Sequence, residues 1–242
     1  MKKILIFLSV VSFIIGCEQK QKIRHPASIS AIEQTIQRAK NGIISANDTI
    51  STLLGLSLHS NSNYNKLKVD SLVLSSGNYF TILLEFPNPV NNKFGIYDDT
   101  LKTLLLDRSL YGELDEKIIS INSNKYIKVD EGFTVKDIYE INRLSIYEVR
   151  NDKANLIFRT FTRFKEPGAV YTQKIIEFSD SQIITKINST NDDLSNKSDI
   201  FELDKNSNSY VSKQNLFTDF IKRQLHKLPQ TGSLNGNSYF DE

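Results

Sequence analysis

The sequence predicts a mainly β fold with flanking helices: an antiparallel meander forming a sandwich or a strongly curved sheet, with one N-terminal and one C-terminal helix. Three observations predict it. From about Leu67 to Asp204, apolar residues recur with period two in runs rich in Ile, Val, Tyr, Phe and Thr, the types that suit a pleated surface. Short turn signals separate the runs, among them Ser76-Gly77-Asn78, Asn122-Ser123-Asn124, Asn151-Asp152 and Pro167-Gly168. Connections this short join antiparallel neighbours, because a parallel crossover needs about a dozen residues. The third observation is a segment of helical periodicity on either side of the β region.

Taken in order, the chain opens with Met1-Lys2-Lys3 and an apolar run from Ile4 to Ile15. A run of twelve is too short for a membrane span, which needs ~20 apolar residues, but it suits the hydrophobic region of a signal peptide. The run ends in Ile14-Ile15-Gly16-Cys17, which resembles the lipobox of bacterial prolipoproteins. The resemblance covers the first seventeen residues and implies cleavage before Cys17, with a diacylglycerol on its sulfur. Two or three acyl chains, at ~0.8 kcal/mol per buried CH₂, hold a protein on a bilayer almost permanently. Cys17 is the sole cysteine, so the mature domain is expected to rely on its core without disulfides.

The implied organisation is a signal peptide over 1–16, a lipidated tether over 17–27, one β-rich domain over 28–228 and a flexible tail over 229–242. Cleavage removes Lys2 and Lys3 and no acid, leaving 28 basic against 28 acidic residues. A nucleic-acid binder would show a basic excess or stripe, so no nucleic-acid partner is expected. The membrane is the first expected partner, through the acylated Cys17. Glu18 is not the Asp that retains many such lipoproteins at the inner membrane, so an outer membrane is the expected address where the cell has one.

Ser30-Ala31-Ile32-Glu33 reads as a capping box. The apolar spacing from Ile29 through Ile32, Ile36, Ala39, Ile43, Ala46, Ile50 and Leu53 predicts one helix over 31–54, closed by Gly55 in the left-handed conformation. Such a stripe serves either a coiled-coil stalk or a helix packed on a sheet, and two alanines in the seam favour the sheet. Strands are expected over 67–74, 79–86, 93–97, 101–106, 117–121, 125–129, 133–139, 143–149, 154–164, 170–178, 182–187 and 199–204. A mobile loop over 188–198 and a helix over 215–227, stopped by Pro229, complete the order.

Signatures of known chemistry are sparse. His25, His59 and His226 are scattered singly, and Gly55-Leu56-Ser57-Leu58-His59 lacks the second glycine of a nucleophile elbow. Asp204-Lys205-Asn206-Ser207-Asn208 opens like a calcium loop, but Ser209 and Asn215 occupy positions that need Gly and Glu; a polar turn is the expectation. The acid pairs Asp98-Asp99, Asp115-Glu116, Asp130-Glu131 and Asp192-Asp193 read as turn and loop acids. No cofactor or metal is expected.

One surface stands out. On strand 154–164, strict alternation places Arg159, Phe161, Arg163 and Lys165 on one face. If Phe164 pairs with Val170 across the Pro167-Gly168 turn, Arg163 meets Tyr171, Phe161 meets Gln173, Arg159 meets Ile175, and Glu177 lies within reach of Arg159. Arg159, Phe161, Arg163 and Tyr171 are therefore the candidate binding face, suited to an anionic ligand or an acidic envelope protein. The expected function is a membrane-anchored extracytoplasmic lipoprotein, acting as a non-catalytic binding or structural module of the cell envelope. The alternatives are a lipid or lipoprotein carrier with an apolar concave sheet, and an envelope enzyme whose site is assembled from scattered residues.

Overall fold

The computed structural model describes residues 28–55, 64–88, 91–135, 138–190 and 194–226. Cys17, the signal peptide, the tether, His25, His59 and the tail lie outside them. The elements are α1 (Ile29–Lys40), α2 (Ile44–Leu54), β1 (Lys66–Leu74), β2 (Gly77–Glu85), β3 (Lys93–Asp98), β4 (Thr103–Asp107), β5 (Glu113–Ile121), β6 (Asn124–Val135), β7 (Tyr139–Arg150), β8 (Lys153–Glu166), β9 (Ala169–Phe178), β10 (Gln182–Ser189), β11 (Ser198–Asp204), β12 (Ser209–Ser212) and α3 (Leu216–His226). Strands β1–β4 form one sheet and β5–β12 another, each an antiparallel meander in chain order. The two face each other as a sandwich, one of the two arrangements that the sequence predicts.

The helices cover the outer face of the four-stranded sheet. Ile32, Ile36, Ala39, Ala46 and Ile50 pack on Val69, Phe80, Ile82, Leu84 and Tyr97. The inner face packs Leu72, Leu83, Phe94 and Ile96 against Ile127, Val129 and Tyr147 of the second sheet. With both faces covered, β2 is buried without interruption from Tyr79 to Leu84, the pattern of a strand enclosed on two sides. Replacing the fully buried Ile36 by Asp strands a charge in this seam, and is expected to cost several kcal/mol. Thermal melting checks this; an unchanged midpoint would mean that α1 is not docked.

The expected single helix is two. Gly42, at φ +80°, ends α1, where the amides of Asn41 and Gly42 bond back to Gln37 and Ala39. The apolar spacing continues across the break because both helices lie on the same sheet. Ile43, expected in the seam, is instead exposed. The cap is Ser28, whose Oγ accepts from the Ala31 amide at 3.2 Å, while Ser30 accepts from Gln34. Gly55 closes α2 at φ +63°, as expected.

Two strand assignments also change. The separate strands expected over 125–129 and 133–139 give way to one longer β6 and to β7 beginning at Tyr139. Glu131 is not a turn acid, because it is buried against Arg143. Strand β12 is four residues long and too polar to register as periodic.

The eight-stranded sheet is strongly curled, for β12 returns to lie against β8, four strands away in the order. Register shifts in β7–β8 and β9–β10 supply the bends, as bulges do. The hollow of the curl is filled by Leu144, Ile146, Phe158, Ile183 and Phe201, with the Phe158 and Phe201 rings 4.9 Å apart. Helix α3 seals the opposite end with Phe217 and Ile221 on Ile141, Phe161, Phe164, Tyr171 and Ile187.

Candidate functional site

In a meander, alternate turns fall at the same end of the sheet. The β5–β6, β7–β8, β9–β10 and β11–β12 turns therefore converge, and the β1–β2 turn of the other sheet joins them. Three of these turns are tight, with Ser75-Ser76, Asn122-Ser123 and Asn151-Asp152 as two-residue connections. Asn122 and Ser123 (φ 49° and 68°) and Asn151 and Asp152 (φ 52° and 55°) are paired left-handed residues, the two-residue hairpin geometry that asparagine and aspartate tolerate. Tyr79 ties the sheets together here, its hydroxyl lying 2.8 Å from Asp152 and 3.0 Å from Ser76. Lys125 Nζ donates to the Val73 carbonyl at 3.0 Å.

These turns enclose a groove of about 670 Å³. Its walls carry Lys125, Tyr126, Glu148, Arg150, Asp180, Asn208 and Tyr210, and Ile157 and Leu203 supply apolar surface. The Tyr126 ring lies 5.3 Å from Phe178, which lies 5.5 Å from Tyr210. The Tyr210 hydroxyl donates to Ser179 O at 2.8 Å, and Asn208 donates to Glu148 at 3.4 Å. Burial first, then the neighbouring Tyr126, Asp180 and Glu148, push the Tyr210 phenol up to about 12. Burial and Glu148 likewise raise Tyr126. Both phenols thus stay protonated donors at neutral pH. Two acids oppose two cations, so the groove offers many donors and acceptors with no net charge.

The candidate face read from sequence is taken apart. The Pro167-Gly168 turn has two residues, with Gly168 at φ +81° as Pro-Gly turns require. Phe164 therefore pairs with Tyr171 and Arg163 with Thr172, one residue away from the expected register. A shift against β7 near Thr162 separates the arginines further, since Arg163 aligns with Asn142 while Phe161 aligns with Arg143. Arg159 points between the sheets, pairs with Asp107, and donates to Ser145 Oγ at 2.8 Å and Tyr147 OH at 3.2 Å. Glu177 accepts instead from Gln182. Phe161 and Tyr171 are core residues beneath α3, and the half-exposed Arg163 pairs with Glu140 at 3.3 Å. The four residues do not share a surface.

What they reveal instead is a buried ionic network holding the β4–β5 crossover. Burial pushes the Asp107 carboxyl up, but Arg159, Tyr147 and Ser109 outweigh it and hold it below the usual range. Beside it, Arg143 donates to both Glu131 oxygens at 2.8 Å, and Glu131 also accepts from the Tyr111 amide at 2.8 Å. The calcium-like segment is a turn, with Asp204 accepting from the Asn206 amide at 3.0 Å and the Ser207 hydroxyl at 2.8 Å.

The groove residues Glu148, Asp180, Asn208 and Tyr210 escaped the sequence reading. Their signal is present as Asn-, Asp- and Ser-rich turns, but only the topology brings separate turns to one end. The chain matches no family model, no curated protein and no solved structure.

Proposed function

We propose that this protein is an extracytoplasmic lipoprotein, held on a membrane by acylated Cys17, whose folded part is a non-catalytic binding module of the cell envelope. We further propose that its ligand is small, uncharged and rich in hydroxyls, as an oligosaccharide unit is, and that it binds in the turn-end groove. The observation that carries this reading is the groove's makeup. Hydroxyl-bearing ligands need donors and acceptors in quantity, and Tyr126, Glu148, Arg150, Asp180 and Asn208 provide both. A sugar also presents apolar C–H faces, which Tyr210, Ile157 and Leu203 suit. Balanced charge gives a neutral ligand no electrostatic penalty, whereas an anion would meet Glu148 and Asp180.

The test is titration of the detergent-solubilised full chain with soluble envelope oligosaccharides. Saturable binding is expected, weakened about tenfold or more by combining Glu148→Gln with Asp180→Asn, since bonds to charged groups contribute ~1.5–3 kcal/mol each. Absence of binding across the panel, or undiminished binding by the double variant, would refute the groove reading. Cleavage of the bound sugar would make the module an enzyme.

A further inference from the structure

β1 and β5 are edge strands of the two different sheets and form no ladder with each other. Side chains bridge the seam instead. Lys68 Nζ donates to the Glu116 carbonyl at 2.6 Å, Lys66 Nζ donates to the Leu114 carbonyl, and the Leu114 amide donates to Glu85 at 2.6 Å. The Glu116 side chain points inward from this seam and is 1% exposed, yet neither carboxyl oxygen has a hydrogen-bond partner. Facing it from β2 is Thr81, wholly buried, a donor near enough to favour the charged carboxyl slightly but short of a formed hydrogen bond. A buried carboxylate without partners is among the costliest groups a fold can hold, and it normally escapes by taking up a proton.

We infer that Glu116 is a proton-operated latch on the β1–β5 seam: neutral, it lets the two sheets close edge to edge, and ionised, it loosens them. The surrounding charges fit this role. Lys68 on β1 is a cation facing the group, and it is already held by Asp70 at 2.7 Å as well as by the Glu116 carbonyl. Asp70 and the adjacent Asp115 oppose ionisation, and Lys117 is turned to Asp115 at 2.6 Å. An ionised Glu116 must draw Lys68 away from the carbonyl it bridges or swing out through the seam, and either movement parts the edges.

Burial, the largest influence, raises the carboxyl to about 7, with Thr81 and Lys68 pulling down and Asp70 and Asp115 pushing up. Because the folded value lies above that of the unfolded chain, the protonated state stabilises. Its contribution is complete in acid and is lost as pH climbs through about 7. This device is independent of the ligand proposed for the groove and would stand if that reading failed.

Amide hydrogen exchange on the full chain, corrected for intrinsic rates, reads the latch directly. Between about pH 5.5 and about pH 8.5, the opening equilibrium of amides in β1 and β5 should rise roughly 30-fold. Amides of β8 should change far less, and Glu116→Gln should abolish the dependence. Seam amides whose opening does not change with pH in the wild type would overturn the proposal, whether or not the variant folds. So would an equal pH dependence in folded Glu116→Gln. A carboxyl carbon-13 titration of wild-type Glu116 with its midpoint near the ordinary ~4.3 would overturn it as well.

Discussion

Glu131→Ala is expected to lower the unfolding free energy by roughly 3–5 kcal/mol, the cost of leaving a buried guanidinium without its counter-ion. Glu131 is completely buried, and Arg143 is 7% exposed. The pair fixes the β4–β5 crossover twice, because Glu131 accepts from the Tyr111 amide while Arg143 donates to the Ser109 carbonyl. Arg143→Met alone should cost a comparable amount, for it strands the carboxylate instead. The combination Glu131→Leu with Arg143→Met should recover most of the loss, since apolar side chains can replace a buried ion pair at little net cost. Urea unfolding of the four proteins decides the matter. Additive losses in the double variant would show that the residues act separately.

Gly112→Ala should be severely damaging for a single added methyl, costing more than ~4 kcal/mol or preventing folding. Gly112 sits at φ +75°, and a Cβ there would lie 2.3 Å from the Gly132 carbonyl oxygen and 2.8 Å from Phe133 Cβ. The nearest obstacle is backbone and cannot swing aside. Gly168 supplies the comparison, with a similar φ of +81° but nothing within 4 Å, so Gly168→Ala should cost only the conformational ~1–2 kcal/mol. Soluble yield and melting temperature of the two variants test the contrast; equal effects would mean that strain alone, and not crowding, sets the cost at Gly112.

Period-two runs and short polar turns were enough to read a β meander because both are local signals. Strand β8 shows where local reading stops. Its extent is legible from the alternation but its faces are not, since register shifts against β7 and a two-residue Pro-Gly turn each reverse parity. Arg159 and Arg163 thus left the shared face that strict alternation gave them. The acid pairs failed for a related reason. Glu116 and Glu131 resemble turn acids beside Asp115 and Asp130, and only tertiary packing turns them inward. Gly42 breaks the helix in two, yet the helical stripe runs through it because one sheet supports both helices. The groove was least legible, because its walls come from five turns that are remote in sequence and adjacent only through topology.

The proposal that a folded binding module is held on a membrane by a lipid at Cys17 is tested most directly by detergent phase partitioning with intact-mass analysis. Wild-type protein is predicted to enter the detergent phase, with a mass equal to residues 17–242 plus acyl chains on Cys17. Cys17→Ser is predicted to remain unlipidated and to leave the detergent phase. Wild-type protein without an added acyl mass, or a Cys17→Ser variant that partitions as the wild type does, would contradict the account.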